Sequence, residues 1–566
     1  MALVSGLRQK PVRPANRRNM ALMSELAPQI DAIYVNALLY LGPSSLADSE
    51  RTSLLAFATS QDRIVGIGTP DQMAACASAN ATIIDLGGRR VIPGLIDGHM
   101  HAVRAGAQWD QELHWTGLTR ITDALATIQD AVTRTPTNQW IRAVGGWHPT
   151  QFVEQRCPTR DELDAVSRDT PVYIQALYEV AVMNSAALRA VGFDSQSDNP
   201  AGGEIERDSS GQPTGVVRGM GAFTRCLAAM GTRSVAEQGR STAVMLADLH
   251  AKGLTGIVDP GGFGMTPESY EGIQELWRHG GLTMRMRLFA SAVDSGQEVL
   301  QLSDWLMNGK QRFNDDMLRL IGIGEVVHYG CHDFEGLDTA FTISSESRNE
   351  LLEISRRTAR AGWAMHIHAI LDSSIDVVVD CWEEINQEFP LAPLRFTIIH
   401  ADAISKRNID RLAKLGVGVV VDDHLVFKAA LSQEAWGEDA IRRAPPLRDL
   451  LDAGIAVAGG TDANRASSYN PWLVLWWLVA GQSLDGITRR QSDQRMNRVE
   501  ALECYTIGSA RLSFEESERG HLTVGALADF AVLSADYFTI PVEEIPTIVS
   551  ELTVVGGKHV YSSLSI

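Results

Sequence analysis

The stretch Arg357-Thr-Ala-Arg-Ala-Gly-Trp-Ala-Met-His-Ile-His368 decides the fold, because in it a helical segment ends at a glycine and an apolar strand ends in histidine. Glycine suits a helix end because it lacks a Cβ and adopts the left-handed conformation without penalty. The same order of helix, glycine, apolar strand and polar strand end recurs at residues 246–259, 411–422 and 450–462. Repeated alternation of helix and strand is typical of α/β proteins.

The strands of these repeats are continuous apolar runs, such as Val417-Gly-Val-Val-Val421. Such runs suit a parallel sheet that is buried on both faces. Alternation across residues 93–514 favours a closed (β/α)8, TIM-like barrel over an open sheet. In such barrels the loops that follow the strands converge on one rim. The polar residues that end the strands are therefore candidates for a site.

The two ends of the chain have a different sequence pattern from the barrel segment. Residues 28–92 contain short alternating strands broken by turn residues, and residues 515–566 repeat this pattern, with Gly556-Gly557 as a hairpin turn. We expect these segments to form one small β-sandwich beside the barrel. Residues from about 110 to 235 mix helices with polar loops and are predicted to form an insertion over the barrel mouth, whereas residues 1–27 are predicted to be a loose N-terminal extension.

The composition excludes several classes of partner. The 566 residues include 50 Lys and Arg against 69 Asp and Glu, a net charge of −19, which argues against nucleic acid or an anionic membrane as a partner. The longest apolar stretch, Pro471–Ala480, is much shorter than the ~20 residues of a membrane span. The six cysteines form no Cys-x-x-Cys pair, which indicates a reducing compartment. We therefore expect a soluble, cytoplasmic protein that acts on a small molecule, with a homo-oligomer left open.

A pair of histidines follows an apolar strand in Val91-Ile-Pro-Gly-Leu-Ile-Asp-Gly-His-Met-His101. Imidazoles at positions i and i+2 of an extended segment point to the same side, so His99 and His101 can ligate one ion. Asp97 or backbone carbonyls can fix the tautomers of the two rings.

Further polar residues end later strands. In chain order these are Glu325, His366, His368, His400 and Asp462. Imidazole together with carboxylate suits Zn2+ or a similar divalent ion, and this order fits a hydrolytic centre of one or two ions. A bound metal lowers the pKa of its water from ~15.7 toward ~7, which supplies hydroxide at neutral pH. A nearby carboxylate can then accept the proton and return it to the leaving group.

These motifs resemble those of the metal-dependent amidohydrolase superfamily, in the branch that includes N-substituted formamide deformylase. The resemblance extends from about residue 30 to the end of the chain. Besides residues 91–101 it rests on Asn184-Ser-Ala-Ala-Leu188, residues 202–208 and 211–215, His366-Ile-His-Ala369, Ile399-His-Ala401, Gly460-Thr-Asp462, Pro471-Trp472 and residues 522–533. Together these motifs specify the superfamily rather than the substrate.

The resemblance implies a role for each candidate ligand. His99 and His101 would bind one metal, and His368 and His400 would bind the second. Asp462 would serve as both a ligand and the proton shuttle, although Asp before Ala-Asn-Arg also suits the N-cap of a helix. His366, the first histidine of its motif, would be a neighbour of the site.

The chain departs from the family pattern at three positions. Glu325 stands where the branch usually has a lysine that is carboxylated to bridge two metals, and its own carboxylate can take that place. An ion pair with a nearby Lys or Arg is the alternative for Glu325. Tyr178-Glu179 replaces a Gly-His pair, and Ile399 replaces a Glu that often precedes the strand-six histidine.

We expect a metal-dependent hydrolase that cleaves the C–N bond of an amide, formamide or cyclic amide. Metal-activated hydroxide would attack the carbonyl, with Asp462 as the proton shuttle. The same fold could instead carry ester or carbamate hydrolysis, decarboxylation or isomerisation, which the changed positions Glu325 and Glu179 keep open. A non-catalytic binding protein is a further alternative.

Three residues are candidate substrate contacts, namely Glu179, His424 and Trp147. His424 follows Asp422-Asp423 at a strand end and is equally compatible with a solvated loop histidine. Packing is the simpler interpretation for His148, His328, His332, Trp476 and Trp477.

Overall fold

The computed structural model describes residues 30–43, 53–77, 80–136, 139–309, 315–487 and 489–564. The predicted N-terminal extension, residues 1–27, lies outside these described residues. No helix within the described ranges is long and apolar enough to cross a membrane.

The strands belong to three sheets. In chain order they are β1 (Ala32–Leu39), β2 (Leu55–Ser60), β3 (Arg63–Gly68), β4 (Thr82–Asp85), β5 (Arg90–Pro93), β6 (Leu95–Asp97), β7 (Ile141–Val144), β8 (Val172–Ala176), β9 (Val180–Met183), β10 (Glu204–Arg207), β11 (Pro213–Arg218), β12 (Leu254–Asp259), β13 (Arg285–Ala290), β14 (Leu318–Ile323), β15 (Ala364–Leu371), β16 (Thr397–Ala403), β17 (Gly418–Val421), β18 (Ala456–Gly459), β19 (Phe530–Leu533), β20 (Ser550–Val555) and β21 (Lys558–Ser562). The α-helices span Pro70–Ala75, Ala102–Gly106, Ile121–Arg134, Arg160–Val166, Ser185–Val191, Met220–Ala228, Val235–His250, Glu271–Arg278, Glu298–Asn308, Ser345–Ala361, Asp372–Asn386, Lys406–Leu415, His424–Trp436, Glu438–Ile441, Leu447–Asp452, Pro471–Ala480, Arg498–Glu503 and Ser509–Leu512.

Eight parallel strands form a nearly closed barrel in the order β6-β12-β13-β14-β15-β16-β17-β18. The first and last strands meet where the amide of Gly98 donates to the carbonyl of Gly459 at 2.8 Å. A Cβ on Gly98 would lie 2.8 Å from that oxygen, so the close approach of the two strands requires glycine. The predicted barrel is therefore confirmed.

Glycines end the barrel helices as predicted. Gly362 and Gly416 both adopt the left-handed conformation, with φ of 74° and 68°, directly after the helices Ser345–Ala361 and Lys406–Leu415. Strands β15 and β17 begin two residues later. This abrupt reversal lets each helix pack back on the barrel, so that successive strands end at the same rim.

Strands from both chain ends join in one sheet with the order β21-β20-β19-β5-β1-β2-β3, and β4 pairs with β1. In the shared core Tyr34 stacks on Phe57 with ring centroids 4.8 Å apart, and Phe530 packs edge-on against both rings. Gly556 and Gly557 form the turn of the β20–β21 hairpin, as predicted. The union of the two chain ends is confirmed, and its arrangement as a two-layer sandwich stays a prediction.

Within residues 110–235 lies a five-stranded sheet, which was not expected from the mix of helices and polar loops. Its order is β10-β11-β9-β8-β7, with β7 and β8 parallel and the other pairs antiparallel. The strands have four to six residues, too few for periodicity to distinguish them from buried helix. Trp115, Trp147 and Phe152 belong to the core beneath this sheet.

A buried ion network joins barrel strand β13 to the C-terminal segment. Arg285 Nε lies 2.8 Å from Asp529 Oδ2, and Arg287 Nε lies 3.1 Å from Glu515 Oε1. Arg519 Nη1 donates to the other oxygen of Glu515 at 3.0 Å. Burial alone raises the pKa of Glu515, but Arg287 and Arg519 lower it to about 2. These ion pairs hold the barrel against the sheet of the chain ends.

Candidate metal centre

The predicted ligands lie at the carboxyl ends of barrel strands. His99 and His101 follow β6, Glu325 follows β14, Asp462 follows β18, His368 lies in β15 and His400 lies in β16. All six side chains are buried. Their nitrogen and oxygen atoms form overlapping groups within which all atoms lie within 4.8 Å of one another. The barrel therefore brings together side chains that are hundreds of positions apart in the chain.

Asp462 lies between the two histidines that follow β6. Its Oδ1 is 3.3 Å from His99 Nε2 and 3.1 Å from His101 Nε2. Glu325 Oε2 is 3.4 Å from the same nitrogen of His101. Two imidazoles and two carboxylates thus surround one position.

Glu325 faces a second pair of histidines through its other oxygen. Glu325 Oε1 is 3.2 Å from His368 Nδ1 and 3.6 Å from His400 Nε2. The alternative of an ion pair with a Lys or Arg is not observed for Glu325 in the described part of the chain. A carboxylate with one oxygen toward each pair of histidines is suited to bridge two cations.

Hydrogen bonds from outside orient the ligand rings. His101 Nδ1 donates to the carbonyl of Gly261 at 2.7 Å, and His400 Nδ1 is held by Asp422. A ring that carries its proton on Nδ1 presents Nε2 as the free base, which is the form that a metal binds. The predicted backbone carbonyl is thus found at His101. Asp97 instead accepts a hydrogen bond from the backbone amide of His99 at 3.1 Å.

The charges of this cluster stabilise one another against burial. Burial raises the pKa of Glu325, but His101 and His368 hold it well below its ordinary value. Burial likewise raises the pKa of Asp462, but its contacts with His101 and His99 lower it. Burial lowers the pKa of His400, but Asp422 and Glu325 raise it well above its ordinary value. Both carboxylates are therefore ionised at neutral pH.

The donor set fits a divalent cation. Neither ring nitrogen of His99 makes a hydrogen bond of good geometry within the described residues, although the ring is completely buried. A buried polar atom without a partner costs free energy unless another group binds it. Imidazole nitrogens and carboxylate oxygens are ligands that zinc and similar ions take.

His424 lines the cavity beside this cluster, but its ring nitrogens face carboxylates. His424 Nδ1 is 2.6 Å from Asp422 Oδ1, and Nε2 pairs with Asp402. Burial lowers the pKa of His424, but Asp402 and Asp422 raise it to about 9, so the ring is cationic at neutral pH. The alternative of a solvated loop histidine is wrong, because the ring is buried. Since Asp422 also holds His400, His424 helps to position that ring.

The other two predicted substrate contacts do not line the cavity. Trp147 is completely buried against Trp115, with ring centroids 4.8 Å apart, where it fills the core of the five-stranded sheet. Glu179 Oε2 lies 3.2 Å from His148 Nε2. Tyr178, the residue before Glu179 in the turn between β8 and β9, lines the cavity instead.

His366 packs beside the candidate ligands. Its ring stacks on Phe289 with centroids 4.0 Å apart, and burial lowers its pKa to about 3. The ring is therefore neutral, and it is not among the residues that line the cavity.

The cavity over the candidate ligands has a volume of about 490 Å³. Part of its lining is aromatic, with the rings of Phe263 and Phe334 parallel and 5.9 Å apart. The polar side chains of the lining that the sequence patterns did not identify include Arg104, Tyr178, Tyr329, Glu335 and Lys428. They lie on loops and helix starts that carry no periodic or motif signal.

His332 also lines the cavity, although packing was the simpler expectation for it. Its ring stacks on His368 with centroids 3.7 Å apart and planes 11° apart. The amide of Phe334 donates to His332 Nδ1 at 3.0 Å, so Nε2 carries the proton of the neutral ring. His332 Nε2 is buried and has no hydrogen-bond partner among the described residues.

A parallel barrel with histidines and carboxylates at the carboxyl ends of its strands has the architecture of a barrel enzyme, whose chemistry takes place at that rim. The family model described as "Amidohydrolase family" matches residues 82–561, and the chain belongs to this family. It is a hydrolase of the amidohydrolase type. The predicted resemblance is thereby confirmed.

Relatives match this chain over most of its length. N-substituted formamide deformylase of Arthrobacter pascens is 29% identical over 512 residues, which cover 86% of this chain and 91% of that protein. The structure of an uncharacterized metal-dependent hydrolase from Pyrococcus furiosus has a TM-score of 0.65 at 22% identity and covers 90% of this chain and 100% of that one. Atrazine chlorohydrolase TrzN from Arthrobacter aurescens TC1, solved with zinc, has a TM-score of 0.51 at 14% identity and covers 94% and 95% of the two chains. These two structures share the fold.

Proposed function

We propose that this chain is a metal-dependent hydrolase that cleaves the C–N bond of an amide, formamide or cyclic amide in a small molecule. The observation that carries the proposal is the position of Glu325, whose two oxygens face two separate pairs of histidines. The formamide deformylase activity named for the relative from Arthrobacter pascens supports this choice of bond.

The proposed ligands divide into two sets around Glu325. His99, His101 and Asp462 would hold one ion, and His368 and His400 would hold a second, with the ion being Zn2+ or a similar divalent cation. When bound, such an ion lowers the pKa of a coordinated water and polarises a carbonyl oxygen.

Asp462 is proposed as the proton shuttle. Its carboxylate is ionised at neutral pH, lines the cavity, and is held by His99 and His101. An ionised carboxylate in this position can accept the proton of the attacking water and return it to the leaving nitrogen.

His332 is proposed to donate a hydrogen bond to the carbonyl oxygen of the substrate. Its Nε2 proton is fixed by the bond from the amide of Phe334 to Nδ1, and no acceptor in the described residues takes it. A preorganised donor stabilises the negative charge that develops on the carbonyl oxygen during attack.

We further propose the domain division of residues 28–92 with 515–566 as a small β-sandwich and residues 93–514 as the barrel. The segment of about 110–235 would cover the barrel mouth. This position over the mouth is supported by three residues of the segment that line the cavity, namely Tyr178, Gly219 and Met220.

A substrate panel tests the proposed reaction. Amides, formamides and cyclic amides, each with its matched ester or carbamate, would be incubated with the purified enzyme and scored for released amine, alcohol and CO2. We expect amine release from at least one C–N substrate with kcat/KM above that of its ester. Turnover confined to esters, or release of CO2 from a carboxylic acid, would instead establish one of the alternative reactions. Absence of all turnover in metal-loaded protein would favour a binding protein.

A further inference from the structure

Arg104 places a guanidinium in the cavity, where burial lowers its pKa but Tyr178 and the more distant carboxylates of Asp462 and Glu325 raise it. It lies in the helix Ala102–Gly106, directly after the candidate ligand His101, and its side chain lines the cavity. Its Nη2 donates to the hydroxyl oxygen of Tyr178 at 3.2 Å. Arg104 forms no ion pair among the residues that the structure describes.

Further guanidinium groups lie close to Arg104. Repulsion from Arg104 adds to burial in lowering the pKa of Arg465, which likewise has no ion pair in the described chain. The Nε atom of Arg142, which is buried, lies 3.9 Å from Glu112 Oε1. Glu112 interacts electrostatically with all three arginines, and its Oε2 already accepts a hydrogen bond from Asn464 at 3.0 Å. Of the three guanidiniums, that of Arg142 alone lies within 4.0 Å of a carboxylate among the described residues.

Lys428, a second basic side chain of the lining, is already matched. Lys428 Nζ lies 2.5 Å from Glu335 Oε2, so this pair contributes no net charge to the cavity. Arg104 and Arg465 are thus the basic side chains of this region that lack a direct ion pair among the described residues. Half-buried guanidiniums without a direct ion pair cost free energy, which a bound anion would offset.

We propose that Arg104, supported by Arg465 and by the hydroxyl of Tyr178, binds an anionic group of the substrate, in the simplest case a carboxylate. The inference rests on the proposed function, because it names the class of molecule that the hydrolase accepts. The planar guanidinium offers paired donors that match a carboxylate. Tyr178 accepts the bond from Arg104, and its own hydroxyl proton has no acceptor in the described residues, so it is available to the same anion.

A matched pair of compounds tests the inference. N-formylphenylalanine and N-formyl-2-phenylethylamine carry the same scissile bond and differ only in the carboxylate. We expect metal-loaded wild-type enzyme to prefer the acid by at least about tenfold in kcat/KM, since hydrogen bonds to charged groups contribute most to recognition. Arg104→Met should bring the ratio near one while hydrolysis of the uncharged compound persists, and Arg104→Lys should restore part of the preference. Arg218→Met, which changes an exposed arginine on β11, should leave the ratio unchanged.

Binding measured without turnover separates this inference from the proposed function. Calorimetric titration with 3-phenylpropanoate and with uncharged 3-phenylpropanamide should show preference for the anion in wild type and its loss in Arg104→Met. Equal affinity for the two compounds in wild type, or a preference that survives Arg104→Met, would overturn the inference even if both formamides are hydrolysed. Preference in binding together with failure of the whole substrate panel would overturn the proposed function and leave the anion site standing.

Discussion

Glu325 Oε1 lies 3.2 Å from His368 Nδ1, at the rim where two neighbouring barrel strands end. The contact matters because the second oxygen of Glu325 points to His101, so that one side chain links the two halves of the candidate centre. A neutral amide of the same shape would keep the packing and lose the charge.

Glu325→Gln should therefore lower metal content and activity together. The loss of one ligand charge in a buried cluster is expected to reduce kcat/KM by at least about 100-fold, a change comparable to the loss of groups that tune metal sites. Elemental analysis and kinetics on the same preparation check this. Glu350→Gln is the matched control, because Glu350 pairs with His328 outside the cavity lining. Unchanged metal content and activity in Glu325→Gln would contradict the bridging role.

Asp462→Asn should abolish most of the hydrolysis without unfolding the chain. The amide cannot accept a proton from water, and removal of a general base typically costs about 10²–10⁴-fold in rate. Single-turnover kinetics and thermal unfolding measure the two effects separately. Activity within a few-fold of wild type would show that the proton moves elsewhere.

His332→Phe should lower kcat while leaving metal content unchanged. Phenylalanine keeps the stack on His368 but removes the Nε2 proton, and loss of one preorganised donor costs about 10²–10³-fold. His332→Gln restores an N–H at a similar reach and should recover part of kcat. If Phe and Gln variants are equally impaired, or if the metal is lost from both, His332 has only a packing role.

The ion network of β13 predicts a pH-dependent stability difference. The folded-state pKa of Glu515 is lowered to about 2. Its ionised carboxylate therefore contributes fully to the free energy of unfolding above the unfolded-state pKa of ~4.3, and this contribution is lost as the pH falls toward 2. Glu515→Gln should reduce the free energy of unfolding by about 3 kcal/mol at pH 6, because it leaves buried guanidiniums unpaired.

Denaturant midpoints between pH 6 and pH 3 check this dependence. The difference in free energy of unfolding between wild type and Glu515→Gln should fall to about half at pH 3, where the wild-type carboxylate is largely protonated in the unfolded state but still ionised in the folded state. A gap that stays constant over this range would show that packing, not charge, accounts for the effect.

The barrel and the grouping of the candidate ligands at its rim were predictable from sequence because each strand is a continuous apolar run with a polar end. The candidates identified in this way are His99, His101, Glu325, His368, His400 and Asp462, since strand ends of a closed parallel barrel must share one rim. The helix ends at Gly362 and Gly416 were predictable because glycine adopts the left-handed conformation that ends a helix.

Other features were not predictable because they depend on packing between distant segments. The five-stranded sheet within residues 110–235 consists of strands too short to carry a period. Trp147 was expected at the substrate, but its ring fills the core beneath that sheet. Arg104 and His332 line the cavity, and nothing in the surrounding residues distinguishes them from solvated or packed side chains.

The central claim is that these buried histidines and carboxylates hold a divalent cation that hydrolysis requires. The most direct measurement is elemental analysis of the protein purified without added metal, paired with activity before and after removal of metal by a chelator. The account predicts one or two equivalents of zinc or a similar ion per chain, loss of hydrolysis with the ion, and recovery when it is returned. Full hydrolytic activity in protein that contains no metal would contradict it.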